Sequence, residues 1–123
     1  MADIRAQLTE LGRDAEGRQL GLNRWLEDPP LSVYVRWAPY WTGGEGVEPA
    51  IVIANVSVSK RGDGIFTSFL EHIEHVADEN GRTVVIENVL EERFRKFFKR
   101  RGYTPRENGP APVFVRLDAA PAP

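Results

Sequence analysis

Six consecutive residues carry the clearest chemistry in this chain: Arg61-Gly62-Asp63-Gly64-Ile65-Phe66. They follow an apolar, β-branched run from Ala50 to Val58 and open a pattern of helical period. A strand, a basic glycine turn and a helix start together make an anion site. Backbone N–H groups point outward at such a turn, and the helix dipole adds partial positive charge. Glycine lets the main chain approach a bulky ligand with no Cβ in the way. The stretch predicts a grip on a phosphate-bearing cofactor.

The flanking periodicities supply the elements that must position it. Ile4, Leu8 and Leu11 fall one helical turn apart, and Asp14 to Gly21 is polar and glycine-punctuated. The helix is expected to break there and resume toward Trp25 and Leu26, until Asp28-Pro29-Pro30 stops it. Leu31, Val33, Val35 and Trp37 alternate with Ser32, Tyr34 and Arg36, which reads as a half-buried antiparallel strand. The second strand, Ala50 to Ser59, is near-continuously apolar and suits a central position. Strict alternation sets Ile51, Ile53, Asn55 and Ser57 on one face and Val52, Ala54, Val56 and Val58 on the other. Ile65, Phe66, Phe69, Leu70, Ile73, Val76 and Ala77 form a helical stripe that Asn80-Gly81 ends. Thr83 to Val89 is a third strand, parallel to the second across a βαβ crossover. Leu90 to Arg101 is the next helix, with Leu90, Phe94, Phe97 and Phe98 inward and Gly102 as its cap. Val113, Val115 and Leu117 alternate as a last strand. Residues 1–118 read as a single domain, with 119–123 a disordered tail.

The totals set bounds. At 123 residues the chain is the size of one domain, and 41% hydrophobic with 28% charged residues is globular. A formal charge of -2 argues against a global nucleic-acid footprint. The absence of cysteine excludes disulfides, thiolate metal sites and a cysteine nucleophile. No run approaches membrane-spanning length, and the first residues lack the apolar core of a signal peptide, so a cytoplasmic protein is the expectation.

From Ala50 to Leu117 the order of elements and their junctions resemble the GNAT-type N-acetyltransferase superfamily. Its signature is Arg or Gln, two free positions, Gly, one free position, then Gly or Ala, at a strand-to-helix turn. Arg61, Gly62, Asp63, Gly64 and Ile65 fit it, and Phe66 departs from it. A second feature is an asparagine after the next strand, then a helix closing on an aromatic, three mostly polar residues, Gly and an aromatic. Asn88 and Phe98-Lys99-Arg100-Arg101-Gly102-Tyr103 match that. The resemblance implies an α/β (α+β) fold, with a mixed central sheet, helices on both faces and a reduced N-terminal half. It implies acetyl-CoA between two splayed parallel strands, the splay caused by a β-bulge. Pantetheine amides would meet the edge near Val56 and Val58, the pyrophosphate would sit on the amides of Arg61 through Phe66, and Asn88 would reach the pantetheine from the other wall. The implied reaction is acyl transfer to an amine-bearing small molecule or protein. Phe98 stands where many members carry a tyrosine that protonates the departing thiolate. Phe66 either fills the diphosphate space or joins the core, and Asp63 sets a carboxylate beside the phosphate site. These departures admit a second reading, a binding module without chemistry that docks on a protein partner or on itself, as an accessory or phage inhibitor protein would.

Other groups have plainer readings. His72 and His75, three apart, suit a solvated helix face better than a metal site. Arg93, Arg95, Lys96, Lys99, Arg100 and Arg101 read as a charged outer face with a cationic last turn suited to the dipole. Trp37, Tyr40 and Trp41 either line an acceptor pocket or pack strands together. Glu45 and Glu48 lead into the central strand, and no catalytic base is assigned to them.

Overall fold

The computed structural model describes residues 3–40, 47–58, 64–89, 92–106 and 113–116. Among them are three helices, α1 (Ile4–Asp14), α2 (Ile65–Glu79) and α3 (Glu92–Arg100). The strands are β1 (Leu22–Asp28), β2 (Leu31–Tyr40), β3 (Glu48–Val58), β4 (Thr83–Ile86), β5 (Thr104–Arg106) and β6 (Val113–Arg116). They form one mixed sheet in the order β1-β2-β3-β4-β6-β5. Only β3 and β4 are parallel, and α2 supplies the crossover that a parallel pair needs. This is the expected α/β class, antiparallel at first and parallel in the middle. None of the described helices is long and apolar enough to cross a membrane.

Three strands differ from the sequence reading. The strand expected over Thr83 to Val89 ends at Ile86, where its pairing with β3 stops. Leu22–Asp28 is a strand, not a resumed helix: β1 pairs with β2 from Leu22↔Trp37 to Asp28↔Leu31 across a tight turn at Pro29-Pro30. Ladder hydrogen bonds from β2 outweigh a local pattern in which only Leu26 is buried. The short edge strand β5, for which the sequence reading has no element, pairs with β6 from Thr104↔Val115 to Arg106↔Val113.

The main core lies on one face of the sheet. Leu8 and Leu11 of α1, Leu70 and Ile73 of α2 and Phe98 of α3 meet Val33, Val35, Ile51, Ile53, Val84 and Phe114 there. Burying each such side chain contributes roughly 1.5–3 kcal/mol. The layering therefore differs from helices on both faces: all three described helices bury their apolar residues on this side. The opposite face carries a smaller cluster of Ala50, Val52, Val85, Val113 and Val115, with Tyr40 packed against it.

Caps fix the helix ends. Asp3 accepts a hydrogen bond from the Ala6 N–H at 2.9 Å and starts α1. Helix α2 closes at Gly81 (φ +63), with Arg82 N–H donating to Ala77 O at 2.8 Å and Gly81 N–H to Asp78 O. Helix α3 closes in the same way at Gly102 (φ +92), with Tyr103 N–H on Phe98 O at 2.9 Å. Both are Schellman motifs, for which a left-handed glycine is the low-strain solution. Tyr103 then donates its hydroxyl to Glu74 at 2.8 Å, and Arg101 pairs with Glu74 at 2.7 Å, which ties α3 to α2.

Candidate functional site

The parallel pair comes apart at one end. Pairing runs from Ala50↔Thr83 to Ile53↔Ile86, and Glu87 N–H still donates to Ile53 O at 2.9 Å. The register of β3 against β2 then slips, because Tyr34 faces Asn55 while Val35 faces Ile53. Ala54 is the extra residue of a β-bulge. Its carbonyl accepts from the Asn88 side-chain amide at 3.4 Å, so Ile53 and Ala54 both turn a carbonyl toward β4. A regular strand would send them to opposite edges. Beyond that point β3 stays paired to β2 out to Val58↔Leu31 and has no partner on its other edge among the described residues. Asn88 takes a left-handed turn (φ +58) that leads the chain away from β3. Among the described residues the two strands part here, which leaves a wedge between them.

The bulge also corrects the face assignment. Val56 packs with Ile51 and Ile53 against the main core, and Asn55 and Ser57 are exposed. One extra residue at Ala54 reverses the phase of everything after it. The same period of two turns the backbone N–H and C=O of Val56 and Val58 to the open edge.

Helix α2 starts beside this wedge in the chain. Gly64 is its N-cap, in the left-handed conformation (φ +64) with no side-chain cap. A Cβ there meets nothing within 4 Å, so the backbone angle, not crowding, calls for glycine. Ser68 N–H is the first to close onto Gly64 O, at 2.9 Å. The N–H groups of Ile65, Phe66 and Thr67 precede it and have no intrahelical acceptor. The first turn carries no acidic residue to occupy them. Arg61, Gly62 and Asp63 lie outside the described residues. Phe66 resolves toward the core: it is partly buried and meets Phe98 edge-on at 6.3 Å. Ile65 is likewise packed against the core. Phe98 is 3% exposed within a ring cluster of Phe66, Phe97, Tyr103 and Phe114.

A carboxylate that sequence reading passed over stands at the root of the wedge. Glu87, whose N–H makes the last strand bond, pairs through its side chain with Arg36. It also faces Tyr40, whose phenol is pushed above its usual value by burial and by the charge and hydrogen bond of Glu87. The sequence reading set Glu87 inside the third strand, and its only signal was a charge in an apolar run. Tyr40 and Trp37 point to opposite faces, so they do not share a pocket, and Trp41 and Glu45 lie outside the described residues.

Comparison with protein-family models, curated proteins and solved structures finds no match to this chain.

Several of the remaining sequence candidates have structural partners. His75 pairs with Glu79 at 3.4 Å on the surface. His72 is half-buried against Arg5 of α1, and burial and the Arg5 charge lower its pKa, so it is not part of a freely solvated face. No metal-binding group of residues occurs among those described. On α3, Arg95 donates to Val89 O at 3.1 Å, Arg93 lies over Phe94, and Phe94 is exposed rather than inward; Leu90 lies outside the described residues.

At the opposite end of β3 and β4 lies a cavity of about 260 Å³ between the end of α1, the end of β2 and the start of β3. Trp37 and Arg82 form part of its wall, and the Arg82 guanidinium sits 4.7 Å from the Trp37 ring centroid.

Proposed function

We propose that this chain is an acyltransferase of the GNAT type, moving an acetyl or acyl group from acetyl-CoA to an amine by direct attack. One observation carries the reading: β3 and β4 part at the Ala54 bulge, and the next helix begins on a left-handed, uncapped glycine. The strand order, with antiparallel strands leading to one parallel step and an antiparallel return, agrees with it.

The residues present fit the donor. Val56 and Val58 offer a backbone edge, unpaired among the described residues, to the pantetheine amides. The backbone N–H groups of Arg61, Gly62, Asp63, Gly64, Ile65 and Phe66 would hold the diphosphate, and Asn88 would reach the pantetheine from the facing wall. Acetyl-CoA would supply the acyl group as a thioester. Edge N–H groups would hold the thioester carbonyl polarised. Two reactants held in one wedge gain the advantage of proximity. Glu87, fixed by Arg36 and Tyr40, is the assigned acceptor of the amine proton. Phe98 has no hydroxyl, so the thiolate proton comes from solvent in this reading.

The buried, donor-free Phe98 favours one alternative, a module of the same fold that binds a protein partner without chemistry. Calorimetry separates them. Acetyl-CoA should bind with a Kd on the order of micromolar and at least about tenfold more weakly to Gly64→Glu. Thiol release with an amine panel should follow and fall in Glu87→Gln. Binding without thiol release supports the module, and no binding removes the transferase reading.

A further inference from the structure

We propose that the cavity walled by Trp37 and Arg82 is a second binding site, for a small monocarboxylate with an apolar body. It lies at the far end of β3 and β4 from the wedge and does not depend on the transferase reading.

The cation is placed there by the fold. The Schellman closure of α2 makes Arg82 the residue that follows Gly81, just ahead of β4. Its Nη1 donates to Ala50 O at 2.9 Å, which fixes the guanidinium at the start of the parallel pair. The group then lies over the Trp37 ring. A guanidinium carries five N–H donors in a planar fork, and the one bond to Ala50 leaves a fork for a second acceptor. Among the described residues no carboxylate pairs with Arg82. Burial lowers its pKa, the mark of a cation held partly out of water. An anion gains more from a cation held partly out of water than from a fully solvated one.

The rest of the lining sets the kind of anion. Ala15, Trp37, Pro39, Val47 and Pro49 give apolar walls. Val47 is 63% exposed. Such a large apolar side chain in the lining gains by being covered. Arg18 and Arg82 against Glu48 leave one net positive charge among the lining side chains, which suits a monoanion and disfavours a dianion. The volume falls just below the roughly 300–1,000 Å³ of drug-sized sites, so the ligand is smaller than that class.

The test is titration of the ¹⁵N-labelled protein with phenylacetate, its neutral isostere phenylacetamide, and inorganic phosphate. Phenylacetate should shift the Trp37 indole N–H, the Gly21 amide and the Arg82 Nε–H, saturating with a Kd at or below about 1 mM. Phenylacetamide should bind at least about tenfold more weakly, as should phenylacetate to Arg82→Gln, while the exposed Arg18→Gln should lose a few-fold. Equal binding of acid and amide overturns the proposal, as do tighter binding of phosphate, shifts centred on Gly64 to Phe66, or no saturable shift. Should Arg82→Gln fail to fold, the comparison of acid with amide on the unchanged protein decides alone.

Discussion

The two ends of the β3–β4 pair solve different problems with different parts. At the bulged end the strands part, and what is offered is backbone: the edge of Val56 and Val58 and the first N–H groups of α2. At the other end the strands stay paired, and what is offered is side chain: the Trp37 ring, the Arg82 fork and a ring of small apolar residues. A backbone site needs only a bulge and a glycine, and tolerates change in most side chains around it. A side-chain site gathers residues far apart in the chain and depends on each of them. The same two strands thus present one candidate site that substitution reaches with difficulty and one that single substitutions should undo.

Four changes break or sharpen that contrast. The largest effect is expected for Gly21→Ala at the paired end. Gly21 has φ +75, and a Cβ would lie 2.0 Å from Trp37 O and 2.8 Å from Ala38 Cα. Backbone must move, and chemical denaturation should show a loss of about 3–4 kcal/mol. Deleting Ala54 addresses the bulged end. Ile53 and Val56 keep their core face and Asn55 its opposite face, because removing the extra residue restores the period of two. The protein should stay folded, and calorimetry should show acetyl-CoA affinity reduced at least about tenfold. Arg82→Gln removes a partly buried cation–π contact and should cost about 1 kcal/mol in denaturation, with the wedge untouched. The smallest change is in pH behaviour. Burial first, then the charge and hydrogen bond of Glu74, raise the Tyr103 phenol well above its usual value. The neutral phenol is favoured in the folded state, so its contribution is complete below about pH 10 and is lost as pH rises beyond it. Urea melts should show stability falling above pH 10, and Tyr103→Phe should flatten that slope.

What the sequence made legible follows the same division. The helical stripe of α2, the alternation of β2, the Asn80-Gly81 and Gly102 stops and the βαβ step are local patterns, and each appears where its period placed it. Gly64 announced a left-handed turn before a helix, and it makes one. Strand β1 was hidden because an edge strand with one fully buried residue has almost no periodic signal, and its pairing comes from β2. The bulge was hidden because Ile-Ala-Asn-Val reads equally well as plain alternation, and only the cross-strand register reveals the slip. The cavity had no signal at all: Ala15, Trp37 and Arg82 meet only after three turns of topology. Glu87 was legible as a position but not as a partner of Arg36, fifty-one residues away.

Helix α1 crosses Trp37 at Gly12, where an added methyl carbon would sit 2.7 Å from the tip of the indole. The two positions are therefore mechanically interlocked. Among descendants or designed variants of this chain, a side chain at residue 12 should be accepted only alongside a shorter ring at residue 37, so the pair will drift together or not at all.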